Sequence, residues 1–265
     1  MVLVNWLALG LATFCVAVWL RRRGTSPWLA LLVGLYPGFL LGVQRDLTEP
    51  LAYALAAAGI IAFDRPGPGA LALSSVLFGL SGLARQTTIV FPLCLVLVLV
   101  LRRQRLRAAA FGAVSIMPIV AYTAFLDVWL GSIGGGSSFE WLPFEGLVTS
   151  REWQAQRQGV VIVAVLVPAL LATAAALVLL RRGLRRVELG YLLVNTLLFV
   201  VFLSSAPYGD GYTSVGRVSV GVVLAAVFCA PLLRAAGPRV RLAGLAAGVL
   251  WMSMLPVITV YGFGG

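Results

Sequence analysis

Clusters of arginine close the long apolar runs of this chain, and their spacing limits how the chain can cross a membrane. The first run ends at residues 21–23, and two later clusters occupy 102–107 and 181–186. Of the 265 residues, 61% are hydrophobic and only 11% are charged, whereas soluble domains carry about 25% charged residues. Long apolar runs separated by basic residues are typical of helical membrane proteins, because a helix satisfies its own backbone hydrogen bonds.

We predict an all-α polytopic integral membrane protein with about ten transmembrane helices in a single domain, residues 1–265. The apolar segments are 2–20, 27–43, 49–63, 70–84, 87–101, 108–130, 159–180, 187–206, 215–233 and 242–262. With ten crossings, fifteen of the twenty arginines share one side with two carboxylates, and the other side holds five arginines and seven carboxylates. Arginine-rich short loops face the cytoplasm.

This orientation places the N-terminus and the long loop at about 131–158 outside, in a multi-pass plasma-membrane protein. It also accounts for the net charge of +11 better than nucleic-acid binding does, because the basic residues lie in short loops between apolar runs. The expected partner is therefore the lipid bilayer and no nucleic acid.

Missing residue types exclude several kinds of chemistry. The chain has no histidine and no lysine, which excludes a Ser-His-Asp triad, a zincin site and a lysine Schiff base. Cys15, Cys94 and Cys229 lie inside apolar runs, where small core residues are the expectation rather than disulfides or metal ligands. No metal site is predicted from these residues.

The third, fourth and fifth segments are short for membrane crossings. At 1.5 Å per residue they reach roughly 22–25 Å, less than the roughly 30 Å hydrocarbon core. Their outer ends carry charges, so we expect the outer ends of segments 2 to 5 to enclose a polar recess that is open to the outside. Helix tilt and local thinning of the bilayer are the alternative.

The densest polar group stands between segments 2 and 3. Asp46 and Glu49 are three residues apart and share a face at a helical start, where both suit the positive end of the helix dipole. One interpretation is that Thr48 or Asp46 caps the third segment, with Pro50 in its first turn. The other is a carboxylate pair that lines a cavity, with Arg45 binding an anion.

Two further groups are predicted on the outer side. Arg85 and Thr87 join segments 4 and 5 with almost no loop, so Arg85 pairs with Asp46 or Glu49, binds phosphate, or extends to the membrane surface. Tyr212 and Arg217 follow a Gly-Asp turn and either face a sugar or phosphate or form an ordinary interfacial turn. Four further carboxylates are either weaker site candidates or solvated loop residues: Asp127, Glu140, Glu145 and Glu152.

Several short motifs resemble those of polytopic GT-C-type glycosyltransferases, in particular bacterial mannosyltransferase-like proteins of cell-surface glycopolymer formation. They are Tyr36-Pro37-Gly38, Arg45-Asp46-Leu47-Thr48-Glu49-Pro50-Leu51-Ala52, Leu83-Ala84-Arg85-Gln86-Thr87 and Pro143-Phe144-Glu145-Gly146-Leu147. The resemblance covers most of the chain. It implies a GT-C-like helical bundle with an outward cavity, and transfer of a sugar from a polyprenyl-phosphate donor on the non-cytoplasmic face.

The resemblance also implies roles for the residues that match its motifs. Arg45 and Arg85 would hold the donor phosphate, and Arg217 would be a second phosphate contact. Asp46 and Glu49 would be the catalytic carboxylates. Thr87 and Tyr212 belong to the same substrate-binding set. The acceptor would be a cell-surface glycan or a lipid, and the sequence identifies neither the acceptor nor the sugar.

The chain also departs from this pattern. Members of the family carry an acidic loop after their first transmembrane helix, and this loop supplies the presumed base and often a metal ligand. This chain starts after that point. In addition, Gln86 stands where relatives tend to have an acidic residue. The expectation is therefore either an N-terminally incomplete member or a degenerate member without activity of its own. In both cases the chain transfers no sugar alone, and a divalent metal is expected only if such a loop is supplied. The alternative is a non-catalytic membrane partner or a flippase of lipid-linked glycans.

Overall fold

The protein is helical throughout the part that the structure describes. This computed structural model describes residues 2–131, 139–150 and 155–256. Within these ranges no strand forms, and an isolated antiparallel bridge joins Phe139 to Leu203. The predicted all-α class is confirmed for the described residues.

The helices of the N-terminal half follow the predicted apolar segments. They are α1 (Val2–Arg22), α2 (Leu31–Gly34), α3 (Pro37–Gln44), α4 (Glu49–Phe63), α5 (Pro68–Ala84), α6 (Val90–Leu101) and α7 (Arg105–Leu130). Short 3-10 turns, Pro27–Ala30 and Gln86–Ile89, precede α2 and α6. Tyr36 is extended before Pro37, as the proline ring requires, and this residue separates α2 from α3.

The C-terminal half is more broken. Its α-helices are α8 (Glu145–Thr149), α9 (Ala155–Val161), α10 (Val167–Arg181), α11 (Val187–Thr196), α12 (Ser205–Gly209), α13 (Tyr212–Val218), α14 (Val220–Cys229) and α15 (Pro238–Met252). Two π-helical turns, Ile162–Leu166 and Leu197–Val201, join α9 to α10 and extend α11. A 3-10 turn, Ala230–Ala235, follows α14.

Length and apolarity identify fewer crossings than the ten predicted. Three helices in the described residues are long and apolar enough to span a membrane: Val2–Arg22, Arg105–Leu130 and Gln158–Arg181. Two bent pairs, Pro27–Gln44 and Tyr212–Ala235, raise the number to five if each pair is one span, and each bends by 44°. The described part of the chain is therefore α-helical with three to five candidate spans.

The short segments are confirmed as short helices. The helix α4 has 15 residues and α5 has 17, and Gln86–Leu101 is also among the shorter apolar helices. These lengths agree with the predicted bounds of segments 3 to 5.

Small residues and aromatic rings hold the helices together. Gly59 of α4 lies against the Phe78 ring of α5, where an added Cβ would come within 3.0 Å of two ring carbons. A chain of edge-to-face ring contacts runs from Phe39 through Tyr53 and Phe91 to Tyr191, with centroid separations of 5.9, 6.3 and 5.3 Å. Membrane helices associate through such close packing, because lipid supplies little hydrophobic driving force between them. Cys94 and Cys229 are buried as predicted, and Cys15 is half-buried.

Charged groups predicted on one side of the membrane also meet in space. Arg23 pairs with Asp64 at 2.6 Å, and the indole N–H of Trp19 donates to the same carboxylate oxygen at 2.7 Å. Arg234 donates to the carbonyl of Gly24. At the other end of α1, Asn5 donates to Asp46 at 3.2 Å. The two ends of the bundle thus carry separate polar groups.

Cysteine labelling tests which end faces outward. In a Cys15→Ala background, Thr149→Cys and Arg185→Cys place thiols at exposed positions of the predicted outer loop and of a predicted cytoplasmic cluster. We expect an impermeant maleimide to label Thr149→Cys in intact cells and Arg185→Cys only after the cells are opened. Labelling of Arg185→Cys from outside would reverse the predicted orientation.

A second prediction concerns the contact between α3 and α13. A Cβ added to Gly38 would lie 2.2 Å from the carbonyl oxygen of Gly216, so Gly38→Ala forces the two backbones apart. We expect a loss of about 1–3 kcal/mol of stability, measured by thermal unfolding in lipid or detergent. Gly10→Ala is the control, because a Cβ at Gly10 meets nothing within 4 Å. Equal melting temperatures for the two variants would contradict the packing.

Candidate functional site

A buried carboxylate bound by two arginines forms the centre of the candidate site. Glu49, the first residue of α4, is 1% exposed. Arg217 donates from Nε and Nη2 to Oε1 of Glu49 at 3.1 and 3.0 Å. The Nη2 atom of Arg85 lies 3.5 Å from the same oxygen. Three of the predicted site residues therefore come together, and the predicted proximity of Arg85 to Asp46 or Glu49 is confirmed.

Local sequence explains why Glu49 begins its helix. Thr48 stands at the N-cap of α4 and Pro50 lies in the first turn, where its fixed φ suits a helix and its missing N–H costs no hydrogen bond. A carboxylate in the first turn also faces the positive end of the helix dipole. Thr48 makes no side-chain capping hydrogen bond.

Arg85 owes its position to a break between two helices. It is the extended residue (φ −154°, ψ 117°) that ends α5 and precedes the turn Gln86–Ile89. Its side chain is 32% exposed, against 17% for that of Arg217 on α13. Two guanidinium groups thus share one carboxylate, so the cluster of Glu49, Arg85 and Arg217 has a net positive charge. A buried cluster of this kind attracts an anion.

One oxygen of Glu49 remains unsatisfied. Its Oε2 atom is buried and has no hydrogen-bond partner among the described residues. One helical turn further along α4, the Tyr53 hydroxyl lies 3.0 Å from the Thr87 hydroxyl. Thr87, predicted to bind substrate, therefore pairs with a buried tyrosine of α4.

Three other predicted residues lie outside this cluster. Arg45 and Asp46 are exposed, and Asp46, at φ 53°, accepts a hydrogen bond from Asn5. Tyr212 directs a buried hydroxyl towards Tyr36 rather than towards open space. The catalytic roles of Asp46 and Glu49 and the binding roles of Arg45 and Tyr212 stay predictions.

A large cavity opens beside Arg85. Its volume is about 1120 Å³, and most of its wall is apolar. Its polar lining residues are Arg85, Gln86, Thr87, Tyr122, Glu140, Ser204 and Ser205. The other walls come from α5, α6, α7, the end of α11 and the segment 203–207. No lining residue comes from segments 2 and 3, so the prediction that segments 2 to 5 enclose the recess is wrong for those two.

Glu140 is the residue that sequence reasoning underrated. It was predicted to be a weaker site candidate or a solvated loop residue, and it lies on the cavity wall. No local sequence signal marks it, because its position depends on backbone contacts with residues about sixty positions later. Asp127 is exposed and Glu145 is half-exposed, but Asp127 lies in α7 and Glu145 begins α8, so the prediction that they are loop residues is wrong. Glu152 lies outside the described residues.

Comparison with known proteins adds no family to this description. The chain matches no family model, no curated protein and no solved structure. The site is therefore interpreted from its own geometry.

Neutralising Glu49 tests the cluster. Glu49→Gln leaves the charges of Arg85 and Arg217 facing each other without a carboxylate, and we expect a loss of about 2–3 kcal/mol, since both guanidinium groups are partly exposed. Thermal unfolding in lipid measures it. Asp210→Asn is the matched control, because Asp210 is exposed and an amide oxygen can still accept from Ser214. The double variant Glu49→Gln/Arg217→Gln should recover part of the loss; no recovery would contradict charge repulsion as the cause.

Proposed function

We propose that this chain is a membrane glycosyltransferase. It transfers a sugar from a polyprenyl-phosphate donor to a cell-surface glycan or lipid on the non-cytoplasmic face of the plasma membrane. In this proposal the chain crosses the membrane ten times as a GT-C-like bundle. The Arg-rich loops face the cytoplasm, and the loop at about 131–158 faces outward.

The observation that carries the proposal is the arginine pair beside the cavity. Glu49 occupies only part of the hydrogen-bonding capacity of the two guanidinium groups, since each carries five N–H donors. Arg85 also lines the cavity. Guanidinium groups bind phosphate oxygens in a bidentate manner and stay charged in a buried setting. A phosphate in the cavity would therefore contact Arg85 first.

This geometry suits the chemistry of sugar transfer from a lipid phosphate. As the acceptor oxygen attacks the anomeric carbon, the bond to the phosphate breaks and negative charge develops on the departing oxygen. Fixed positive groups stabilise such charge without reorganising. In the proposal Arg85 and Arg217 supply these groups, and Glu49 holds both guanidinium groups in place.

The size and lining of the cavity also agree with the proposal. Small-molecule sites typically occupy roughly 300–1,000 Å³, and this cavity reaches about 1120 Å³. It has room for a sugar and part of an acceptor. Its largely apolar wall favours the hydrocarbon part of a lipid-linked substrate, while its few polar groups orient the headgroup.

Phosphate binding can be measured without turnover. We expect purified protein in nanodiscs to bind polyprenyl phosphate. Arg85→Gln should weaken binding about tenfold or more, because it removes a charge-assisted hydrogen-bond donor from the cavity wall. Arg217→Gln should also weaken binding, because it removes the surplus positive charge of the cluster with Glu49. Arg239→Gln, an exposed arginine at the opposite end of the bundle, should bind like the wild type. Equal affinity of all four proteins would remove the basis of the proposal.

The product distinguishes transfer from transport. When the chain is supplied with a polyprenyl-phosphate sugar and an acceptor, a transferase releases polyprenyl phosphate and a glycosylated acceptor. A flippase moves the donor across the bilayer and leaves it intact. Donor movement without product would favour the flippase alternative.

A further inference from the structure

We infer that Glu140 is a substrate-binding residue that accepts hydrogen bonds from sugar hydroxyl groups in the cavity that Arg85 also lines. This inference rests on the proposed function, since it assigns the sugar-recognising residue of the same cavity. It begins from a carboxylate that no motif and no resemblance selected.

The backbone fixes the position of Glu140. Its N–H donates to the carbonyl of Phe202 at 2.8 Å, and the N–H of Phe144 donates to the carbonyl of Val201 at 2.6 Å. These carbonyls end the π-helical turn Leu197–Val201, where helical partners run out. The isolated bridge between Phe139 and Leu203 adds a further contact. The loop 139–150 is therefore docked on this helix end.

Close packing at Gly146 supports the same docking. A Cβ at Gly146 would lie 2.2 Å from the carbonyl oxygen of Leu203 and 2.5 Å from the carbonyl carbon of Ser204. Only glycine allows the loop to come this close to the segment that follows the π-helical turn. The backbone around Glu140 is thus held from both ends of the loop.

The carboxylate itself is available for a ligand. Within the described residues, Glu140 makes no side-chain hydrogen bond and no ion pair. Of the described residues that line the cavity, Glu140 is the one carboxylate and Arg85 is the one cation. The described part of the wall therefore has one anionic and one cationic group, each with unused hydrogen-bonding capacity.

The presence of a carboxylate and a guanidinium group on the described cavity wall favours a ligand with two chemically different parts. An ionised carboxylate only accepts hydrogen bonds, so it binds groups that donate them and repels phosphate. A ligand that satisfies both groups carries phosphate at one end and hydroxyl groups at the other, which describes a glycosyl phosphate. A bare lipid phosphate satisfies Arg85 but leaves Glu140 without a partner. Ser204 and Ser205 on the same wall can bind further hydroxyl groups.

A comparison of two lipids tests the inference. We would measure binding of a polyprenyl-phosphate sugar and of bare polyprenyl phosphate to the full chain in nanodiscs. The wild type should bind the sugar-bearing lipid about tenfold more tightly, through hydrogen bonds to a charged acceptor. Glu140→Gln should abolish this difference and leave the affinity for bare lipid phosphate unchanged or higher. Glu140→Asp should retain part of it.

Glu145→Gln is the matched control. Glu145 lies on the same loop but not on the cavity wall, and its Oε2 accepts a hydrogen bond from the N–H of Leu142, which an amide oxygen can also accept. This variant should keep the wild-type preference for the sugar-bearing lipid. A preference retained by Glu140→Gln, or equal binding of both lipids by the wild type, would overturn the inference while leaving the phosphate site intact. Failure of the wild type to bind either lipid would instead overturn the proposed function.

Discussion

The burial of Glu49 under two arginines is the constraint on which the polar end of the bundle depends. A carboxylate that is 1% exposed in an apolar protein is costly unless cations neutralise it. Arg217 and Arg85 do so from α13 and from the α5–α6 break. Three distant parts of the chain therefore meet at Oε1 of Glu49. The cluster carries a surplus positive charge, and its Arg85 lines the neighbouring cavity.

Much of this arrangement is readable from the sequence, for physical reasons. The helix α4 has the predicted bounds and α5 begins two residues before its predicted start, because a proline lies in the first turn of each and a charged residue follows each. Arg85 is predicted to lie near Asp46 or Glu49, because a charge between two apolar helices with almost no loop needs a partner, and it lies near Glu49. The sequence alone leaves open whether Arg85 only pairs with a carboxylate or also binds phosphate, and the proposed function assigns it both roles.

Other features escape the sequence because they depend on contacts between remote residues. Arg217 joins Glu49 across 168 positions, and no local pattern encodes that distance. The breaks at Tyr36 and near Ser219 shorten what the sequence presents as continuous apolar runs, so ten crossings do not follow from helix length. Glu140 lies on the cavity wall because carbonyls at the end of a π-helical turn accept hydrogen bonds from the backbone N–H groups of its loop.

The separation of Glu49 from its two partners has a consequence for how the protein is made. The chain emerges from the ribosome in sequence order, so Glu49 is made long before Arg217. Arg85 follows after a single helical hairpin, α4 and α5, and is the first of the two arginine partners of Glu49 to be made. The hairpin can therefore pair Glu49 with Arg85 before α13 adds Arg217. The cluster therefore assembles in the order of synthesis: the N-terminal half supplies Glu49 and Arg85, and the C-terminal half adds Arg217.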